Sequence, residues 1–214
     1  MARVTASPGS PPVRQVHWVR QVHGSTVVVV PDDDRTPPGH PARSPSVTAV
    51  SDGEADALVS AAPSTGLVVL TADCAPIALG SPEGVFGAVH AGWRGLVDGV
   101  VGRAVSAMRD NGATEVVGAL GTCIRPECYE FSPADLDQVA ASFGDGVRSR
   151  TATGRPALDL PAAVVSALAT AGVRQQAVDA TCTGCGGGYF SHRVRGDGGR
   201  QALVVWSSTG ERPG

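Results

Sequence analysis

An apolar run from Ala75 to Leu79, the turn signal Gly80-Ser81-Pro82-Glu83-Gly84 and a second apolar run from Val85 to His90 read as two antiparallel strands joined by a five-residue loop. That pattern constrains the chain more than any other, because pairing Leu79 with Val85 sets Cys74 directly opposite His90. Opposed residues in an antiparallel pair have Cβ atoms about 4.5–5.5 Å apart. From there a thiolate and an imidazole both reach one zinc ion at roughly 2.0–2.3 Å. Pro76 strains this register: it gives the ladder no donor, so it demands an edge position or a bulge, and a bulge would move the pairing by one residue.

The 214 residues suit one domain with a substantial core, expected over residues 13–207 between a disordered start, 1–12, and a disordered tail, 208–214. A net charge of −3 gives no reason to expect a nucleic acid or an anionic membrane as partner, which leaves small metabolites. Composition is silent on oligomeric state. Met1–Pro12 lacks the basic and apolar parts of a signal peptide, and no apolar run approaches the ~20 residues of a membrane span, so the expected location is the cytoplasm. Five cysteines, an odd set without a secretory signal, point to reduced thiols acting as ligands, nucleophiles or core residues.

Pro31–Ser46 holds five prolines and reads as a long exposed loop. Strands are expected at Val13–Val22, Thr26–Val30, Ala57–Val59, Leu67–Thr71, the hairpin, Glu115–Gly121, Gln176–Ala180 and Ala202–Trp206, most buried on at least one face. Three helices are expected. The first runs from Leu96 to Arg109 with Val97, Val100, Val101, Ala104, Val105 and Met108 at helical spacing; the second opens at Ser132-Pro133 and stops at Gly144; the third runs from Asp159 to Gly172. These elements imply an α+β fold in one domain, layered β-sheets in a sandwich-like arrangement flanked by helices.

Val89-His90-Ala91-Gly92-Trp93-Arg94-Gly95 ends a strand and opens a helix through two glycines, a place where backbone N–H groups and the Arg94 fork suit phosphate or carboxylate. Its plainer reading is a glycine turn beside a solvated arginine. Singly, Cys74 is commonly a small hydrophobe and His90 a hydrogen-bonded structural histidine; only their pairing lifts them. Asp73 can orient an imidazole or act as a base, and turn formation explains it equally well. A third ligand must come from the remaining histidines: His17, His23, His40, in the proline-rich loop, and His192. His23, at a strand end before Gly24, and His192 are the two candidates. A rival metal site uses Cys182-x-x-Cys185, at zinc-ligand spacing, with Cys123 and Cys128 as the other two thiolates.

Trp18-Val19-Arg20-Gln21-Val22-His23-Gly24, Ala55-Asp56-Ala57-Leu58-Val59, Thr71-Ala72-Asp73-Cys74-Ala75-Pro76, the His90-to-Gly95 turn, Cys128-Tyr129-Glu130, Cys182-Thr183 and Tyr189-Phe190-Ser191-His192-Arg193 through Gly199-Arg200-Gln201 together resemble the polyphenol oxidase, or laccase-domain, family. The resemblance spans residues 13 to 206. It implies a metal held by His23, Cys74 and His90; from the residues themselves, Arg94, His192 and Asp73 are expected toward substrate and phosphate. It also implies β-sheets flanked by helices and activity on purine nucleosides: phosphorolysis of adenosine, inosine and methylthioadenosine, with deamination of adenosine. Some members are described instead as peptidoglycan editing factors that remove a misincorporated amino acid from a UDP-muramyl precursor. A noncatalytic zinc-stabilised binding protein is the reading from a different class.

Multicopper oxidase chemistry needs more imidazoles than the five histidines present, and no methionine is placed as an axial ligand. Three ligands and an open position suit Zn2+ acting on a bound water, whose pKa falls to about 7, with copper as the alternative ion. The chain departs from the family pattern in beginning almost at the Trp-to-His block, where members usually carry several strands ahead of it. The completeness of the sheet and the substrate contacts are therefore the parts of the family pattern that the resemblance does not carry over. Thr122 stands where a proline is usual.

Overall fold

The computed structural model describes residues 13–31 and 48–207. The expectations for residues 1–12, for the proline-rich stretch beyond Pro31 with His40, and for residues 208–214 lie outside the described residues. Among those described, the strands are β1 (Gln15–Arg20), β2 (Val27–Val30), β3 (Thr48–Glu54), β4 (Ala57–Ser60), β5 (Thr65–Thr71), β6 (Ala75–Gly80), β7 (Phe86–Ala91), β8 (Val117–Leu120), β9 (Arg148–Arg150), β10 (Pro156–Leu158), β11 (Arg174–Val178) and β12 (Gln201–Trp206). The helices are α1 (Trp93–Val97), α2 (Val100–Asp110), α3 (Pro133–Phe143), α4 (Leu160–Thr170) and α5 (His192–Arg195).

Strand alternation builds three layers. A six-stranded sheet in the order β11-β8-β6-β7-β4-β2 lies against a four-stranded sheet in the order β12-β5-β1-β3. Along β7 and β4, Phe86, Ala88 and Leu58 turn to one face and meet Val19, Leu67 and Val69 between the sheets. Val89, Val59, Ile77 and Leu79 turn to the other face, where the apolar stripes of α2, α3 and α4 cover them: Val101, Val105, Met108, Leu136, Val139, Val164 and Leu168. Each such side chain contributes about 1.5–3 kcal/mol when fully buried. Asp56 and His90 share the alternation of Leu58 and Ala88, so both groups enter the inter-sheet layer.

The hairpin register differs from the expected one by two residues. Gly80 pairs with Phe86, Leu79 with Gly87 and Pro76 with His90. The loop is tighter than the turn signal suggested, because Ser81 N–H donates to Val85 O at 2.9 Å and leaves Pro82-Glu83-Gly84 to turn the chain, with Gly84 at φ +86°. This is a three-residue loop ending in a left-handed glycine. A slip of two preserves the faces that a slip of one would exchange. Cys74, directly before β6, is therefore diagonal to His90 on the same face. Pro76 sits in a central strand without a bulge: its carbonyl accepts from Gly121 N–H at 2.9 Å, and the β6–β8 pairing begins only at Ile77–Leu120, so its missing donor falls where the ladder ends.

The helix expected over Leu96–Arg109 is two helices, broken at Gly99 with φ +83°. Ser132 and Asp159 cap as expected, accepting from Asp135 N–H and Ala162 N–H. Strand β3 was missed: its sequence Thr-Ala-Val-Ser-Asp-Gly-Glu carries a turn signature, yet it pairs in parallel with β1, and its Asp52 accepts from His17 at 2.9 Å. The expected strand at Gln176–Ala180 begins two residues earlier and is exposed throughout.

Candidate metal centre

The site grows from one buried carboxylate. Asp56, fully buried ahead of β4, would destabilise the inter-sheet layer by several kcal/mol if left unpaired. Its oxygens instead accept from the backbone N–H groups of Val22 at 3.2 Å, His23 at 3.0 Å and Gly24 at 2.7 Å. Three converging bonds hold this turn tightly, and His23 takes the left-handed conformation at φ +61°. A fourth bond, 2.7 Å long, joins Asp56 Oδ1 to His90 Nδ1. An ionised carboxylate only accepts, so Nδ1 carries a hydrogen, and Nε2 is the ring nitrogen that can face a metal once its own proton is lost.

Cys74 Sγ lies 3.7 Å from His23 Nε2, and donor atoms of His23, Cys74 and His90 all lie within 4.8 Å of one another. The two rings meet edge to face at 4.9 Å. His90 is buried, Cys74 half-buried and His23 exposed, so the cluster is open on the His23 side. Two glycines make room. A Cβ on Gly92 would stand 2.9 Å from His23 Cδ2 and 3.3 Å from Cys74 Sγ, and one on Gly95 would stand 2.6 Å from Gly24 O. The glycines of the His90-to-Gly95 turn thus admit the His23 turn itself.

Electrostatics favour a thiolate here. Burial opposes ionisation of Cys74, yet the His23 and His90 rings hold its thiol down to about 6. Burial likewise opposes a charged His90, but Asp56 and Cys74 raise it to about 9. Against burial, the His90 hydrogen bond and the Gly24 amide keep the Asp56 carboxyl below its usual range. Two imidazoles, a low-lying thiolate and a carboxylate buttress form a set that can hold a divalent metal ion.

Residues 1–208 match the family described as multi-copper polyphenol oxidoreductase laccase. The chain belongs to this laccase family. Its relatives include a purine nucleoside phosphorylase of Mycobacterium tuberculosis, 38% identical over 208 residues covering 96% of this chain and 77% of that protein. A purine nucleoside phosphorylase of Streptomyces coelicolor is 38% identical over 203 residues, covering 92% and 77%. Among solved structures, YlmD from Geobacillus stearothermophilus superposes with a TM-score of 0.71 at 30% identity, covering 90% of this chain and 74% of that one. A Neisseria meningitidis protein superposes with a TM-score of 0.73 at 26% identity, covering 91% and 75%.

The other residues singled out in this laccase-family chain lie around this cluster or apart from it. Asp73, at φ +97°, accepts from Thr183 Oγ1 at 2.7 Å and from Arg193 N–H at 2.6 Å, tying the segment around α5 to the turn that carries Cys74. His192 is exposed on α5, and Arg94 is exposed on α1 with its guanidinium 4.5 Å over the Trp93 ring. The rival four-cysteine site is corrected to three: Cys128, Cys182 and Cys185 converge, whereas Cys123 is buried in the main core. Burial pushes the Cys123 thiol up to about 12. Sequence reasoning gave Asp56 no role. The available signal was an acidic residue embedded in an apolar strand start, Ala55-Asp56-Ala57-Leu58-Val59.

Proposed function

We propose that this chain is a zinc-dependent purine nucleoside phosphorylase whose metal ligands are His23, Cys74 and His90. The observation that carries the reading is the convergence of these three donors within 4.8 Å. The chain's relatives named purine nucleoside phosphorylase, 38% identical, supply the substrate class. Two imidazoles and one thiolate, with His23 on the open side, suit a catalytic zinc that keeps a free position; copper is the alternative ion. When bound, the ion supplies Lewis acidity to an oxygen of substrate or water.

The chain's own residues do the rest. Asp56 holds the His90 ring through Nδ1 and the His23 turn through its amide, so the donor set is positioned before any ion arrives. Arg94 makes no ion pair among the described residues, and its fork binds phosphate. That phosphate forms a bond to the ribose C1′ as the glycosidic bond breaks, the electron pair leaving with the purine base, which takes up a proton. His192, held in place through the bond of Asp73 to its helix, contacts the nucleoside. Adenosine, inosine and methylthioadenosine are the substrates, and adenosine deamination is a second activity of the same centre.

The test incubates purified protein with inosine or adenosine, with and without inorganic phosphate. The expected result is phosphate-dependent release of free base and ribose 1-phosphate, lost in Cys74→Ala. Inert nucleosides alongside turnover of an amino-acid-bearing UDP-muramyl precursor would overturn it in favour of cell-wall editing. Consumption of neither, with Cys74→Ala merely lowering the melting temperature, would leave a noncatalytic binding protein.

A further inference from the structure

We infer that Cys128, Cys182 and Cys185 form a second metal site, a thiolate centre that takes a soft divalent cation of the zinc type and braces the C-terminal loop. The three sulfurs lie within 4.8 Å of one another, although Cys128 follows β8 and the other two lie on the loop between β11 and α5. All are free thiols. Unlike a lone buried cysteine, a triad of sulfurs from two distant segments supplies most of a tetrahedral zinc shell.

The surrounding backbone is shaped for this approach. A Cβ on Gly184 would stand 2.7 Å from Cys128 Cβ and 3.0 Å from its sulfur, and one on Gly186 would stand 2.4 Å from Cys182 O. Glycine at 184 lets Cys128 enter between the two loop cysteines. Glycine at 186 lets the chain fold back, with Gly186 N–H donating to Cys182 O at 2.8 Å. Arg125 N–H points at Cys182 Sγ from 3.4 Å, a donor placed to stabilise a thiolate ligand. Arg195 grips the same loop through the carbonyls of Gly184 and Thr183, at 2.6 and 3.1 Å.

Three thiolates leave one position of a tetrahedron. The Glu127 carboxylate, 3.7 Å from Cys185 Sγ, is at hand to fill it. Cys185 is exposed, which gives an ion its way in. Thiolate-rich sites select zinc or cuprous copper over magnesium or calcium. The loop so clamped is the one whose Thr183 bonds Asp73, next to Cys74. An ion at the three cysteines therefore also steadies the turn that carries the first centre's thiolate.

The test is elemental analysis of the full-length, tag-free protein prepared with a thiol reductant, as wild type, Cys74→Ala, Cys185→Ser and the double variant. The expected result is one zinc lost in each single variant and both lost in the double variant. Cobalt-loaded Cys74→Ala should show intense thiolate-to-cobalt absorption that disappears when Cys185→Ser or Cys128→Ser is added; circular dichroism checks that each variant folds. Copper in place of zinc, lost with Cys185→Ser, would keep the site and correct the ion. Metal content unchanged by Cys185→Ser, or a disulfide between two of the three cysteines in freshly reduced and desalted protein, would overturn the inference. If Cys74→Ala loses no metal while Cys185→Ser does, this site stands and the His23-Cys74-His90 ligand set falls.

Discussion

Asp56 holds His90 through a 2.7 Å bond to Nδ1 and, with the same carboxylate, grips the backbone amides of Val22, His23 and Gly24. One buried charge thus sets both imidazoles of the cluster, although their positions in the chain are far apart. Replacing it by Asn keeps the volume but turns one oxygen into a donor facing N–H groups. Asp56→Asn should weaken zinc binding about 10–100-fold, measured by competition with a chromogenic chelator. Unchanged affinity would mean the histidines find their positions without it.

The thiol of Cys74 sits at about 6 and His90 at about 9 in the metal-free protein. Alkylation of Cys74 by iodoacetamide should therefore fall off with a midpoint near 6 as pH is lowered, where an ordinary cysteine loses reactivity near 8.5. Between the two values the thiolate is already formed and His90 still carries its extra proton. Zinc uptake at pH 7.5 should then release the proton of His90 rather than that of Cys74, and affinity should rise with pH up to about 9. Calorimetry in buffers of differing ionisation enthalpy reads that proton directly.

Gly92 and Gly95 answer differently to alanine. A Cβ at 92 meets side-chain atoms of His23 and Cys74, whereas one at 95 meets the carbonyl of Gly24, which is backbone and cannot swing aside. Gly92→Ala should impair metal binding with a modest stability loss. Gly95→Ala should cost about 1–3 kcal/mol, as overpacking does. Thermal melts beside zinc titrations separate the two; equal effects on both readouts would contradict the assignment.

Asp73 should matter to the C-terminal segment before it matters to chemistry. Asp73→Ala removes a charged acceptor from Thr183 and from the Arg193 amide, a loss of about 1.5–3 kcal/mol for each bond. Hydrogen exchange over α5 should accelerate while exchange in α2 stays slow. Uniform acceleration would show that the bond supports the whole fold.

Much of this was legible in the sequence where local patterns decide. Apolar runs placed β2, β4, β5, β6, β7, β8 and β12, and the Ser132 and Asp159 caps marked their helices because capping is a local contest for N–H groups. Register was harder. Gly80 through Gly84 looked like one five-residue loop, but the left-handed conformation of Gly84 and the Ser81–Val85 bond tightened it. The error of two residues left Cys74 and His90 on one face because side chains alternate with a period of two. Gly99 read as a residue inside a helix, and only its φ of +83° shows the break. The choice of His23 over His192 came from the resemblance, since its agent, Asp56, lies 33 residues away. Three cysteines of the rival set meet and Cys123 does not, a distinction made by tertiary packing that spacing could not carry.

The most direct measurement is anomalous diffraction at the zinc edge from crystals of the zinc-loaded protein. The account predicts a peak roughly 2.0–2.3 Å from Cys74 Sγ and from one ring nitrogen each of His23 and His90. The absence of a peak at that point, whatever the three-cysteine cluster shows, would contradict it.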